Sequence, residues 1–411
     1  MKTWILVAVA VVAGAIAPAS AQVIVSTGVA DDALEANSQP KIARDARGTI
    51  YLAFVKPVGG VAQVFLASSA DGGQQWRVQQ MTTGPAESRY PTLTIGQGTT
   101  VHLAWTQYEG GVGGVYYTQY DGQRWTPAAR VSPGKVYAGV PALASGPQGN
   151  VHLVWYGIRA EAPTVQTRHG SLYEILYTAL TAAKWATPEV ISPGVPDSIN
   201  PTLGIDHQGR LHSAWYQFDL RRYQVHHRMR DGIWTAPEQV SEGEDTSAVA
   251  MALDRNDTVY LVWERHETTG SRIYFAERTP RWSPQAPLSA AGQRAATPSV
   301  AVDDRGTVFV AWASDGTIYL TRRTWQWLGV DRIQAEGRND HPILASSGDG
   351  IDLAWTQQAG DDRRLLFVSL ETRGREPPSS ERSLWGVVTL AGVLALGLWL
   401  WRRRQRSVQH D

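Results

Sequence analysis

The chain has 411 residues, no cysteine, 38 basic against 38 acidic side chains, and only 18% charged residues. This balance offers no basic face for nucleic acid, and without disulfides an exported fold must rest on its core alone. The length would fit two or three domains or one large β-fold.

Residues 1–21 read as a secretory signal peptide. Lys2 supplies a minimal positive region, residues 5–16 are apolar, and Ala19-Ser20-Ala21 forms a small-residue cleavage site. Val25-Ser26-Thr27-Gly28 follows as a short strand-like run. From Pro40 a repeating unit begins, and it is written seven times. Each unit carries an apolar run closed by an aromatic residue: Phe54, Trp105, Trp155, Trp215, Trp263, Trp312 and Trp355. The intervals are roughly 50 residues, the period of a propeller or another repeat array. A turn such as 206–209, 254–257 or 303–306 precedes the run, and a proline (Pro91, Pro141, Pro201, Pro298, Pro342) commonly opens the strand before that turn. Asp303-Asp304 reads as part of such a turn rather than as a metal site.

Six units carry a second tryptophan: Trp76, Trp125, Trp185, Trp234, Trp282 and Trp327. Each leads into a short strand, so a unit reads as four strands, A to D. The seventh unit, residues 341–370, lacks strand D. The missing ending matches Val25 to Gly28, so the N-terminal strand is expected to complete the last blade. Such closure protects sheet edges. The expected fold is all-β, a seven-bladed β-propeller over residues 22–372.

A polar Pro/Ser stalk follows at 373–383. Residues 384–401 are apolar, 18 long and flanked by tryptophan, which meets the lower limit for a transmembrane helix. The basic tail, 402–411, is expected in the cytoplasm. The expected localisation is therefore a single-pass plasma-membrane protein with its propeller outside.

Ser69, Asp71, Gly73 and Trp76 complete the pattern S-x-D-x-G-x-x-W. A short carboxylate there can hold backbone N–H groups in a turn, and the glycine permits the required backbone angles. With the shortened version at 120–125, this motif resembles the Asp-box, or BNR repeat, of the sialidase-like propeller superfamily, and the resemblance covers roughly residues 22–370. It implies a propeller fold and, in its catalytic members, three arginines on a substrate carboxylate, an Asp acid/base and a Tyr–Glu nucleophile. The Asp-boxes of that family lie away from the catalytic face. Its first arginine lies in a Phe/Tyr-Arg-Ile-Pro entry to blade 1. The entry here reads Gln39-Pro40-Lys41-Ile42, and seven units stand against six blades.

Propeller ligands usually meet the face built by loops entering strand A and loops joining B to C. That geometry selects Arg89 and Tyr90 before Pro91, Asn200 before Pro201, and Asp340 and His341 before Pro342. It also selects Tyr156, Tyr216 and Glu264, which follow strand-B tryptophans, and then Arg265. The longest insertion, 156–174, adds Arg159, Glu161, Arg168 and His169. Aromatic faces with Arg, Asn and Glu suit a sugar. The strict recurrence of tryptophan speaks for blade packing. His226 and His227 are adjacent on a strand and point to opposite faces, so they are no metal pair. No cofactor or metal is expected, and no catalytic residue is assigned. The expected function is a membrane-anchored binding module for a glycan or surface protein. An exo-acting hydrolase of sialidase type and a cell-envelope scaffold are the alternatives.

Overall fold

A computed structural model describes residues 22–371 apart from 36–38, 147–148, 160–165, 168–169, 195–196 and 334. The signal peptide, stalk, transmembrane segment and tail expected from the sequence lie outside the described residues, as do Glu161, Arg168 and His169. No helix among the described residues is long and apolar enough to cross a membrane.

Seven antiparallel sheets form a ring. Blade 1 runs through Ile42–Arg44, Ile50–Val58, Val61–Ser69 and Arg77–Gln80, from the axis outward. Blades 2 to 6 open at Ser88, Ala138, Ser198, Thr246 and Ala295. Blade 7 holds Arg338–Ser346, Gly350–Ala359 and Asp362–Glu371, and its fourth strand is Val23–Thr27. That N-terminal strand pairs antiparallel with Asp362–Glu371, Val23 opposite Phe367 and Thr27 opposite Arg364. The closure read from the sequence is therefore present. Each strand A touches the next around the circle, and blade 7 touches blade 1. A bidentate ion pair strengthens this seam: Arg44 of strand 1A donates to the buried Asp352 carboxylate at 2.6 Å through both Nε and Nη2.

The six strand-B tryptophans are at most 1% exposed. Each fills the seam with the preceding blade, as Trp155 does against Ala104 and Val115 of blade 2. The second tryptophans rivet the same seams from outside. Trp76, Trp185, Trp234, Trp282 and Trp327 stand edge-on to Phe367, Tyr117, Tyr177, His227 and Phe275 of the preceding blade, with ring centroids 5.0–5.3 Å apart. Interlocked aromatic pairs of this kind contribute beyond their buried area.

The turns between strands A and B share one chemistry. The Oδ1 atoms of Asp45, Asp206, Asp254 and Asp303 each accept two backbone N–H bonds, from residues two and four further on. Asp303 is thus a turn residue. In the loop after strand 1C, Asp71 Oδ1 accepts from Ser69 Oγ and from the amides of Gln74 and Gln75, while Trp76 Nε1 donates to Gly73. A Cβ on Gly73 would stand 2.1 Å from the Phe367 ring, so only glycine lets this loop close on blade 7. His226 stacks on Trp215, whereas His227 meets His212 and Trp282, on opposite sides of the strand.

Candidate functional site

Strand connectivity puts the D-to-A and B-to-C loops on one face, the entry face. Strand A of blades 2 to 7 carries a bulge there, two residues before its regular pairing resumes. At the bulge Tyr90, Val140, Asn200, Ala248, Thr297 and His341 all adopt φ of 50–53°. Side chains other than glycine rarely take this conformation, and such strain collects at functional sites. The prolines sit directly after these residues, inside strand A rather than at its start. A bulge removes the ladder hydrogen bond that a proline could not make. The freed amides find new acceptors: Val140 N–H donates to Thr106 Oγ1 at 2.9 Å, and Thr297 N–H donates to the Glu264 carboxyl.

Most of the residues selected from the sequence meet around this entrance. Arg89 is held by Asp32 and by Glu87. Tyr90 lies within electrostatic range of Tyr108, Glu35 and Arg89, and burial pushes its hydroxyl up to about 12. Tyr156 follows, packed edge-on to Tyr173 and accepting a 3.1 Å hydrogen bond from Tyr137. Tyr216 is buried, with Asn200 Nδ2 donating to its hydroxyl. Burial, then the neighbouring Tyr156, raises the Tyr216 pKa, and Glu264 adds to the rise. Glu264 comes next; burial pushes its carboxyl up, the His266 charge opposes this, and Asp340 adds to the rise. Beyond it are Asp340 and His341, whose Nε2 stands 3.6 Å from Glu35. Glu35 sits beside Arg89 and closes the circle.

Two selected residues stand apart. Arg159 pairs with Glu174 at 2.6 Å and ties down the base of the long insertion. Arg265 lies 3.6 Å over the Tyr274 ring and pairs with Glu267, turned toward the outer part of its blade. Each arginine is thus committed to an acid of its own blade.

Other residues at the entrance were not selected from the sequence. Gln39 is 1% exposed, and its Nε2 crosses the axis from blade 1 to the Pro201 carbonyl of blade 4 at 3.0 Å. Lys41, at the entry to blade 1, is fully buried, and desolvation lowers its ammonium to about 7. Glu35 beside it is held below the usual carboxylate range, chiefly by the hydrogen bond from His341.

At Asp340 the entry face opens into a cavity of about 500 Å³. Its floor contains Ala296 and Ala313, and its walls include Arg294, Asp315, Arg338 and Asp340. The opening has a sequence signal. The residue after the closing aromatic is Val55, Thr106, Tyr156, Tyr216, Glu264, Ala313 or Thr356, so blade 6 alone has alanine there. Cavities of this size suit a small ligand or sugar unit. Arg338 Nη2 lies 3.5 Å from Asp340 and stays largely exposed, while Arg294 has no ion pair among the described residues.

Fold and site together define a seven-bladed β-propeller with a polar and tyrosine-rich entry face. No family model and no curated protein matches the chain. Solved structures do match. A polysaccharide lyase of family PL25, an ulvan lyase, aligns over 84% of this chain and 95% of its own, with 12% identity and a TM-score of 0.58. An α-L-arabinofuranosidase, Arb93A of Fusarium graminearum, aligns over 87% of this chain and 98% of its own, with 11% identity and a TM-score of 0.50. A Hadza microbial sialidase covers 78% of this chain and 73% of its own at 11% identity and a TM-score of 0.48. The first two likenesses establish the propeller fold, which resembles that of glycan-processing proteins, and fold alone does not fix activity.

Proposed function

We propose that this chain is an exported, membrane-anchored propeller that binds a glycan at its entry face without cleaving it. The observation that carries this reading is the cavity lined by Asp340 together with Arg294 and Arg338. Guanidinium groups hold carboxylates or sulfates through paired N–H donors, and Thr317 and Asp340 on the same lining offer hydrogen-bond partners to sugar hydroxyls. The sialidase-like sequence motif and the glycan-processing propellers of like fold support the choice of sugar over protein. The sequence of residues 1–21 and 384–401 supports export and anchoring.

Absence of catalysis is the reading because the arginines selected from the sequence do not converge on one carboxylate site. Arg89, Arg159 and Arg265 are each neutralised by acids of this chain. Tyr216, within electrostatic range of Glu264, is buried with its hydroxyl pushed away from ionisation, the reverse of an activated nucleophile. A second reading, an exo-acting hydrolase of sialidase type, is favoured by one observation. Glu264 is a raised carboxyl beside Asp340, and two carboxyls in different environments are the usual pair for glycoside hydrolysis.

The test is binding of the full chain in detergent to immobilised acidic and neutral glycans. The binding reading expects a preference for acidic glycans and, in Arg294→Ala/Arg338→Ala, a loss of about tenfold or more in affinity, roughly 1.4 kcal/mol or more. Binding that ignores both substitutions would move the ligand away from this cavity.

A further inference from the structure

The opposite face, built by A-to-B and C-to-D loops, carries a second opening of about 370 Å³ between blades 1 and 2. Its origin is a leucine in the repeat. The strand-C residue paired with the one before the closing aromatic is Tyr117, Tyr177, His227, Phe275 and Phe367 in blades 2, 3, 4, 5 and 7. All five take a tryptophan of the next blade edge-on. In blades 1 and 6 it is a leucine, Leu66 opposite Ala53 and Leu320 opposite Ala311, and of these only blade 1 is followed by a blade with a second tryptophan. The leucine does not fill the space under Trp125, which instead leans on Tyr120 of its own blade at 5.3 Å and 33°. A groove remains, with Leu66 on its lining and Tyr51 beside it.

The groove is furnished for a ligand. Trp125, Tyr120 and Tyr51 all line it and remain partly exposed. Arg77 and Arg124 stand on its rim, exposed and without an ion pair among the described residues, unlike Arg44, Arg89 or Arg159, which acids of the chain hold. Gln79 and Gln123 add amide donors and acceptors. Aromatic faces bind the C–H face of a pyranose, amides satisfy its hydroxyls, and free guanidinium groups select an anionic substituent.

We propose that the seam between blades 1 and 2 is a second saccharide site, specific for an acidic sugar unit and independent of the entry-face cavity. The probes are trigalacturonate, a chondroitin sulfate hexasaccharide and, as the uncharged comparison, maltotriose. They are titrated calorimetrically into the full chain in detergent, in an Arg294→Ala/Arg338→Ala background so that entry-face binding does not contribute. Saturable binding of at least one acidic probe is expected, with maltotriose about tenfold weaker or worse. Two variants then locate it. Arg77→Ala/Arg124→Ala alters only exposed side chains, and Leu66→Phe gives blade 1 the residue that blades 5 and 7 already use. Each is expected to lower affinity about tenfold or more, with Leu66→Phe melting no lower than its parent because the added ring fills an open groove. The proposal is overturned if neither acidic probe binds this background, or if binding survives both variants unchanged. Binding of maltotriose as tight as that of the acidic probes would overturn the acidic specificity.

Discussion

Trp215→Ala is expected to lower the unfolding free energy by about 3–5 kcal/mol, the range for emptying a fully buried tryptophan site. Trp215 is 0% exposed and packs into the seam between blades 3 and 4 with Val154, Ile175, Leu203 and Leu211. These neighbours sit on opposed strands of two sheets and cannot collapse into the void without shifting a blade. Its Nε1 donates a long 3.4 Å bond to Gln217, whose loss adds little. Trp325 is the matched control. It is 82% exposed, so Trp325→Ala should change stability by less than about 0.5 kcal/mol. Denaturation of the two variants beside the parent decides the matter. Similar midpoints for Trp215→Ala and Trp325→Ala would mean that the repeated tryptophans do not hold the seams.

Lys41 gives the second large effect. Its ammonium is fully buried, and desolvation lowers its pKa from 10.5 to about 7, although the Glu35 charge opposes the drop. Between those two values the unfolded chain holds a proton that the folded chain has released. Stability from this group therefore rises with pH across that window, by up to about 1.4 kcal/mol per unit, and the full penalty applies below pH 7. Lys41→Met removes the buried charge while keeping its length. It should be more stable than the parent at pH 6, by an amount that shrinks toward pH 10. Loss of the 3.5 Å bond to the Gln39 carbonyl opposes the gain. Stability curves for parent and variant between pH 6 and 10 test this. Parallel curves would show that Lys41 does not titrate in the window.

Much of the ring was legible because each unit repeats one hydrophobic sentence. A closing aromatic at the same place in seven runs fixed the blade count. The unmatched ending at Val25 to Gly28 gave the closure, since a three-stranded seventh unit leaves an edge that only that segment can cover. Candidate residues were legible to the extent that they follow the repeat. Tyr156, Tyr216 and Glu264 occupy one position in three blades, and Tyr90, Asn200 and His341 another. The rest depends on contacts between distant parts of the chain. Gln39 reaches Pro201 across the axis, and no local pattern predicts such a span. Arg265 looked equivalent to a cavity residue, yet strand alternation turns it outward, onto Tyr274. The entry-face cavity comes from what is missing, the side chain absent at Ala313, and the opposite groove from a leucine where its counterparts are mostly aromatic. A search for conspicuous residues passes over small ones. Comparison position by position across the seven units exposes both.

The most direct test of the central claim, glycan binding without cleavage, is a turnover measurement on the full chain. It is incubated for hours with a fluorogenic sialoside and related aryl glycosides while binding of acidic glycans is measured on the same preparation. Saturable binding is expected, with no release of the fluorophore above the rate in buffer. Release that disappears in Glu264→Gln, with binding retained, would contradict it and make the raised carboxyl beside Asp340 a catalytic acid.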